Sequence, residues 1–514
     1  MSHNEMFIIG GDNFQPVVQL GRMSNRHGMI AGATGTGKTV TLQVMAEGFS
    51  RMGVPVFAAD IKGDLSGLAA AGKPNPKIDE RLRQIPVTDY RQSQSPVVFW
   101  DVYGVNGHPI RTTISEMGPL LLANLLELND TQESVLYAAF RIADDQGLLM
   151  LDLKDLKAMI AWMSDNSKKL RGEYGNLAPA SIGAIQRGLM VLEQQGGDRF
   201  FGEPAVQIND LMHVDFSGRG VISLLDATRL YSQSPRIYTA FMLWILSELF
   251  EQLPEQGDSD RPRMVLFFDE AHLIFNNAPK PLLDKVEQVV RLIRSKGVGI
   301  YFISQSPTDI PETVMGQLGL KVQHALRAFT PKDRQSVKTI AANFRTNPAF
   351  DTETIITELG IGEALVSALD EKGTPLPVRR TLIAPPQSQI GPISPGEQKE
   401  CMNRSPLRGR YDNPVDRESA YELLKARTAA ENVQMPEKPA PAPKTAAQGS
   451  SRQSIADAFI KSAARSIGSQ IGTRIIRGVL GSVFGGRRSN HKSRTAVDQC
   501  HKAYVGRYLK RIAF

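Results

Sequence analysis

Cysteine is almost missing from this chain. Only Cys401 and Cys500 occur in 514 residues. Two thiols cannot build a disulfide framework, so the chain reads as reduced and cytoplasmic. No stretch of about 18 apolar residues is free of charge, which argues against a membrane-spanning helix. Met1 to Met6 lacks a basic, apolar leader, so no secretory signal is expected. No Cys/His spacing suggests zinc, and no G-x-S-x-G suggests a hydrolase elbow. A surplus of positive charge is also missing from most of the chain. The formal net charge is +7, yet residues 385–514 carry 22 Lys+Arg against 10 Asp+Glu, a net of +12 that leaves −5 for the rest. The basic character therefore belongs to the tail and does not mark the core as a nucleic-acid binder.

The composition is otherwise globular, at 41% hydrophobic and 22% charged, and the length suits two to four domains. Apolar, β-branched runs at His27 to Ala31, Val54 to Asp60, Val97 to Val102, Gly220 to Asp226, Met264 to Asp269 and Val298 to Ser304 read as buried strands. Helical patterns alternate with them at Lys38 to Met52, Ser234-Pro235 to Leu253 and Pro281 to Lys296. Glu363 to Leu369 and Pro377 to Ile383 flank a Lys372-Gly373 turn and read as a hairpin. Alternating strands and helices predict an α/β fold with a mainly parallel sheet covered on both faces. Residues 116–210 interrupt it with helices. There Asp130 and Glu133 resemble a capping box, Gly147 a stop, and Pro179 a first helical position with Gly196-Gly197 beyond the end. The expected organisation is a first core part over 1–115, the helical insertion over 116–210, and a second core part over 211–384. A linker with a short helix and a Pro/Ala-rich segment follows over 385–452, then a basic amphipathic helix and tail over 453–514. Pro436 to Ser451 should be disordered or extended.

The strongest motif is Gly32-Ala33-Thr34-Gly35-Thr36-Gly37-Lys38-Thr39, which matches G-x-x-x-x-G-K-[ST] between a predicted strand and a predicted helix. Glycines let the backbone curl so that successive N–H groups face phosphate oxygens, and the helix N-terminus adds positive potential. Lys38 is placed to neutralise the β- and γ-phosphates of ATP, and the Thr39 hydroxyl to ligate Mg²⁺. Met264 to Phe268 then delivers Asp269 and Glu270 at a strand's carboxyl end, where α/β sites form. Asp269 is the candidate to hold Mg²⁺ through water, and Glu270 the candidate general base for the attacking water. Gln305, after the strand Val298 to Ser304, is the candidate sensor of the γ-phosphate.

Other residues keep two readings. Arg26 and Arg294 are either arginines donated to a neighbouring subunit's site or partners in local salt bridges. Asp60 either reaches the site or, with Lys62 and Asp64, closes a polar strand-end loop. His272 is either a neighbour of the site or a turn or core histidine, and stays out of the catalytic set.

These segments together resemble the HerA/FtsK group of P-loop ATPases, most closely its HerA-like bacterial members. The resemblance rests on His27 to Thr39, on Asp60-Ile61-Lys62-Gly63-Asp64-Leu65-Ser66-Gly67-Leu68, on Asp269-Glu270-Ala271-His272, and on the spacing from Arg294 to Ser304-Gln305-Ser306. It covers roughly residues 1–384, and the tail looks similar too. It implies a RecA-like core, assembly into a hexameric ring with ATP between subunits, and translocation of double-stranded DNA alongside a nuclease. By the same resemblance Arg26 and Arg294 match interface arginines and Gln305 the sensor. HerA-type motors carry a β-barrel ahead of the P-loop. Fewer than 32 residues precede Gly32 here, so that barrel is expected to be absent, which puts the repair role and nuclease partner in doubt. An unknown protein partner or a membrane surface is the alternative client.

The tail bears on that alternative. Ser454 to Phe484 reads as a helix with Ile455, Phe459, Ala463, Ile467, Ile471 and Ile475 every four residues. Lys461, Arg465, Arg474 and Arg477 lie on other faces, and Gly468 and Gly472 form a G-x-x-x-G. An oligomerisation or interaction helix, a helix lying on an anionic membrane, and a nucleic-acid contact all fit this pattern. The stretch after Gly485-Gly486 is basic and irregular.

Overall fold

The computed structural model describes residues 5–12, 15–87, 90–257, 259–275 and 279–433. The expected C-terminal helix, the Pro/Ala-rich segment and Cys500 lie outside these residues. Twelve strands form one sheet. In chain order they are β1 (Met6–Asp12), β2 (Gln15–Leu20), β3 (Gly28–Ala31), β4 (Val56–Asp60), β5 (Val97–Asp101) and β6 (His108–Pro109). Then come β7 (Ile222–Asp226), β8 (Met264–Phe268), β9 (Val298–Ser304), β10 (Leu320–His324), β11 (Glu363–Ser367) and β12 (Arg379–Ile383). The spatial order is β2-β1-β12-β11-β10-β3-β9-β8-β4-β7-β5-β6.

From β10 to β6 every neighbouring pair is parallel. From β10 back to β2 every pair is antiparallel, including the expected hairpin β11–β12. Residues ahead of β3, which gave no strand pattern, thus extend the sheet as β1 and β2. The chain leaves β3 through α1 (Lys38–Arg51) and passes over β9 and β8 to reach β4.

Alternation along the strands fixes the two faces. Met29, Ala31, Phe57 and Ala59 point into one core, and Ile30, Val56, Ala58, Phe267 and Ile303 into the other. The second core is closed by α1 through Leu42, Met45 and Phe49. The first is closed by α6 (Pro235–Gln252), α7 (Lys280–Ile293) and the helical insertion. Phe241 of α6 packs its ring 6.2 Å from Phe57 and 5.7 Å from Phe200. Each such side chain, removed from water, contributes about 2–3 kcal/mol.

The insertion contains α2 (Ile114–Leu125), α3 (Asp130–Gln146), α4 (Leu153–Asp165) and α5 (Pro179–Leu192). Two local expectations are corrected there. Its first helix starts at Ile114, capped by Thr113 with Glu116. The α3 cap sits one residue earlier than Asp130: Asn129 accepts the Gln132 N–H at 3.0 Å, and Gln132 Oε1 accepts the Asn129 N–H at 3.1 Å. Gly147 ends α3 in the left-handed conformation, as its position suggested. Gly196-Gly197 lies beyond the end of α5 at Leu192, as expected, within a π turn over Glu193–Gly197 that leads into Asp198–Phe200.

The stretch expected as a linker is packed from its start to residue 433. The Gln387 and Ser388 N–H groups donate to the buried Glu47 carboxylate of α1 at 2.8 and 2.9 Å. Tyr411 stacks edge-on at 5.3 Å against Trp100 of β5. A helix over Ala420–Val433 buries Ala420 and Leu424 in the first core. Pro385 and Pro386 lie where the strap leaves the sheet and Pro395 opens a helix over Pro395–Arg404, without loss of structure, because the polar backbone here finds partners on α1 and the sheet. Among the described residues, no helix is long and apolar enough to cross a membrane.

Candidate functional site

The site sits at the carboxyl edge of the parallel strands. Gly32 to Thr39 curls from β3 into α1, with Gly32, Gly35 and Gly37 at φ 151°, 79° and 116°. A side chain disfavours these angles, which is why glycine recurs there. The loop is pinned on several sides. Gly32 N–H donates to Ser304 of β9 at 3.3 Å, Ala33 N–H to Ala325 after β10 at 2.9 Å, and Gly362 N–H to Thr36 at 3.0 Å. Behind it, His324 is held at both ring nitrogens. Its Nδ1 meets the Glu363 carbonyl at 2.9 Å, and its Nε2 meets Thr41 Oγ1 at 2.8 Å. Burial lowers this ring's pKa to about 4, so the neutral imidazole is the stable form.

Lys38 is buried within the loop, donating from Nζ to the Gly32 and Ala33 carbonyls at 2.6 and 3.1 Å. Burial and the Lys62 charge draw its pKa down, against the pull of Glu270 and Asp269. Thr39 lies half-buried in the first turn of α1.

Every residue of β8 is buried, as five apolar side chains require, and the chain turns polar as it emerges. Asp269 accepts the Glu270 N–H at 2.9 Å, while the Tyr238 hydroxyl donates to the Asp269 carbonyl at 3.0 Å. Burial raises the Asp269 carboxyl to about 6, partly countered by Lys62. Glu270 has φ 50°, a conformation uncommon for a side-chain-bearing residue and typical of a functional constraint. Its Oε1 lies 3.5 Å from Lys62 Nζ. Its Oε2 is buried 3.2 Å from His272 Nδ1, without the alignment of a hydrogen bond.

Lys38, Thr39, Asp269, Glu270 and Gln305 thus share one edge of the sheet. Gln305 is exposed directly after Ser304, whose carbonyl receives the Gly32 N–H. Arg26 and Arg294 stand elsewhere. Both precede their strands, at the amino edge. The Arg26 carbonyl accepts from Gly319, and the Arg294 carbonyl accepts from Asn25 Nδ2. At about 3.3 Å per residue, β9 separates that edge from the site by about 20 Å. The fold does not bring these arginines to their own chain's P-loop.

The sequence reading missed Lys62 as a site residue. Asp60, at the end of β4, accepts N–H groups from Gly63, Asp64 and Leu65 at 2.7, 3.1 and 2.9 Å. That closes the polar strand-end loop and lifts Lys62 toward Glu270. The available signal was a lysine two residues beyond a strand-terminal aspartate, followed by a glycine.

The donor set fits Mg²⁺ with a nucleotide. One half-buried carboxylate at a strand end, one hydroxyl at a helix start and a glycine cradle are what a cation shared with phosphates needs. Among the described residues, no group of three or more His, Cys, Asp or Glu could hold a metal ion by protein ligands alone.

A family model for helicase HerA-like C-terminal sequences matches residues 5–489. No curated protein matches the chain in sequence. Among solved structures, the bacterial conjugative coupling protein TrwB, lacking its N-terminal segment, is similar at TM-score 0.50. It shares 14% identity, over 75% of this chain and 90% of that one. VirB4 of Thermoanaerobacter pseudethanolicus is similar at TM-score 0.48 and 17% identity, covering 76% and 98%. A TrwB structure in complex with ADP and Mg²⁺ aligns at TM-score 0.47 and 14% identity, covering 72% and 88%. With this match over nearly its whole length and a P-loop sheet of the same architecture as TrwB, the chain belongs to the helicase HerA-like C-terminal family.

Proposed function

We propose that this chain is a P-loop ATPase that works as an oligomeric ring motor, with double-stranded DNA as its client. The observation that carries the hydrolytic part is the meeting of Lys38 with Asp269 and Glu270 at one sheet edge. The P-loop backbone and Lys38 bind the triphosphate. Thr39 and Asp269 hold Mg²⁺, which when bound offsets charge on the phosphate oxygens. Glu270 orients the attacking water and accepts its proton, and Gln305 contacts the γ-phosphate side.

The placement of two arginines far from their own chain's P-loop supports the ring. Arg26 and Arg294 stand about 20 Å away across the sheet, so they serve this chemistry by completing a neighbour's site, as arginines commonly do for phosphoryl transfer. Family membership supports DNA as the client.

Steady-state ATP hydrolysis with and without linear duplex DNA tests the reading, with Lys38→Ala as the blank. Stimulation of several-fold, lost in the variant, is expected. Robust turnover indifferent to DNA would replace DNA by a protein or membrane client. No turnover above the blank would sink the motor reading altogether.

A further inference from the structure

Two lysines face the carboxylate pair, and only Lys38 has a role in the chemistry above. Lys38 arrives from the P-loop. Lys62 arrives from the far side of β8, on the loop after β4. Its base is rigid, because Asp60 gathers three consecutive N–H groups beneath it and Gly63 takes φ 76° to close the curl. Its side chain is 40% exposed, while the Glu270 side chain it meets is 8% exposed. The Lys62 ammonium is therefore a charge on a short tether, projecting over a buried base. The two lysines also lie near enough for the Lys62 charge, after burial, to draw the Lys38 pKa down. Such cation pairs at one sheet edge suit an anion that lies between them.

The position of that anion follows from the chemistry. Lys38 of a P-loop reaches the β- and γ-phosphates. The water oriented by Glu270 attacks the γ-phosphorus. The γ-phosphate therefore lies between Lys38 and Glu270, alongside the ammonium that is 3.5 Å from Glu270 Oε1. A diphosphate ends one group short of it.

We propose that Lys62 is the residue that distinguishes ATP from ADP, binding the γ-phosphate from the side opposite Lys38 and positioning the Glu270 carboxylate beside it. This rests on the ATPase reading. It assigns Lys62 a contact with substrate, and Asp60 and Gly63 the task of holding Lys62 there. A lysine suits this place, because its compact ammonium can contact a phosphate oxygen and a carboxylate together.

Equilibrium binding tests the proposal apart from turnover. The full chain, Lys62→Met and Lys62→Arg are titrated with fluorescent mant-AMPPNP and mant-ADP in the presence of Mg²⁺. Lys62→Met should weaken the triphosphate analogue by about 10- to 100-fold and mant-ADP by less than about threefold. That range matches the loss of one charged phosphate contact. Lys62→Arg should recover most of the difference, since it restores the charge. ATP turnover should fall by about 100-fold in Lys62→Met, with an unchanged melting temperature. Equal weakening of both nucleotides, or of neither, overturns the proposal. Lys62→Gln, closer to lysine in polarity, repeats the measurement should the methionine variant melt early. Lys38→Ala separates the two levels of argument. Were the wild-type chain to bind neither nucleotide better than Lys38→Ala, the ATPase reading would fall, and the role of Lys62 with it.

Discussion

Glu47→Gln probes whether the strap over 385–433 is part of the fold. Glu47 lies on α1, the helix that begins at the P-loop, and is buried. Its Oε2 accepts the Gln387 N–H at 2.8 Å, and its Oε1 accepts the Ser388 N–H at 2.9 Å. The Ser388 hydroxyl also donates to Oε1, and Arg51 lies 3.7 Å from Oε2. Glutamine has nearly the same shape but only one acceptor oxygen. Whichever way its amide turns, one backbone N–H of the strap faces an NH₂ donor. An orphaned buried N–H costs about 1–3 kcal/mol. The remaining bonds lose charge assistance, about half their strength. Together the strap should loosen locally by about 2–4 kcal/mol. Gln43 keeps its own bonds to Ser388 Oγ and the Gln389 carbonyl at 2.6 and 2.8 Å, so the break is local. Hydrogen–deuterium exchange over 385–393 should then accelerate by about 30- to 1000-fold relative to wild type. Exchange within about threefold of wild type would show that the strap does not depend on Glu47.

Further predictions concern the site and its supports. Glu270→Gln should lower ATP turnover by about 100- to 1000-fold while leaving mant-nucleotide affinity within about threefold; equal loss of both would mean the residue is structural. His27 supplies a pH test. Ile300 N–H donates to its Nδ1 at 3.1 Å, and its Nε2 donates to the Val290 carbonyl at 2.8 Å, so the neutral ring satisfies both. Burial depresses its pKa from 6.5 to about 4. The unfolded chain therefore takes up a proton first as pH falls, and this stabilisation is complete above about pH 6.5 and lost as pH drops through 4. The stability advantage of wild type over His27→Gln should shrink by about 3 kcal/mol between pH 7 and 4. Urea unfolding of both proteins at several pH values checks this, and a constant difference would refute it. Gly28→Ala would place a methyl 2.6 Å from the buried Tyr301 ring. A loss of about 1–3 kcal/mol is expected by overpacking, read as a lower melting temperature; an unchanged one would mean that the ring has room to shift.

Short-range chemistry made much of this protein legible without coordinates. The glycines of 32–37 demand a left-handed loop because of their own backbone freedom. Met264 to Phe268 demands burial, and Asp269 and Glu270 follow where the apolar run ends. Gly147 after α3, Pro179 at the start of α5, and the β11–β12 hairpin were equally local. What only the tertiary structure decided is long-range pairing, where the partner is not written near the residue. Nothing in Met6 to Leu20 announces that it will add two antiparallel strands beyond β12. The prolines after 384 look like a linker until Glu47, some 340 positions earlier, is seen to receive the Gln387 and Ser388 N–H groups that follow them. Arg26 lies just ahead of the P-loop strand and Arg294 just ahead of the strand that ends at Gln305, yet strand direction carries them to the opposite edge. Lys62 became a site residue only because β4 and β8 lie side by side, so that a lysine just past one strand meets a carboxylate just past the other. Periodicity and turn chemistry act over a few bonds. Strand order and the meeting of charges depend on loop closure and burial across the whole chain, and those are settled by packing.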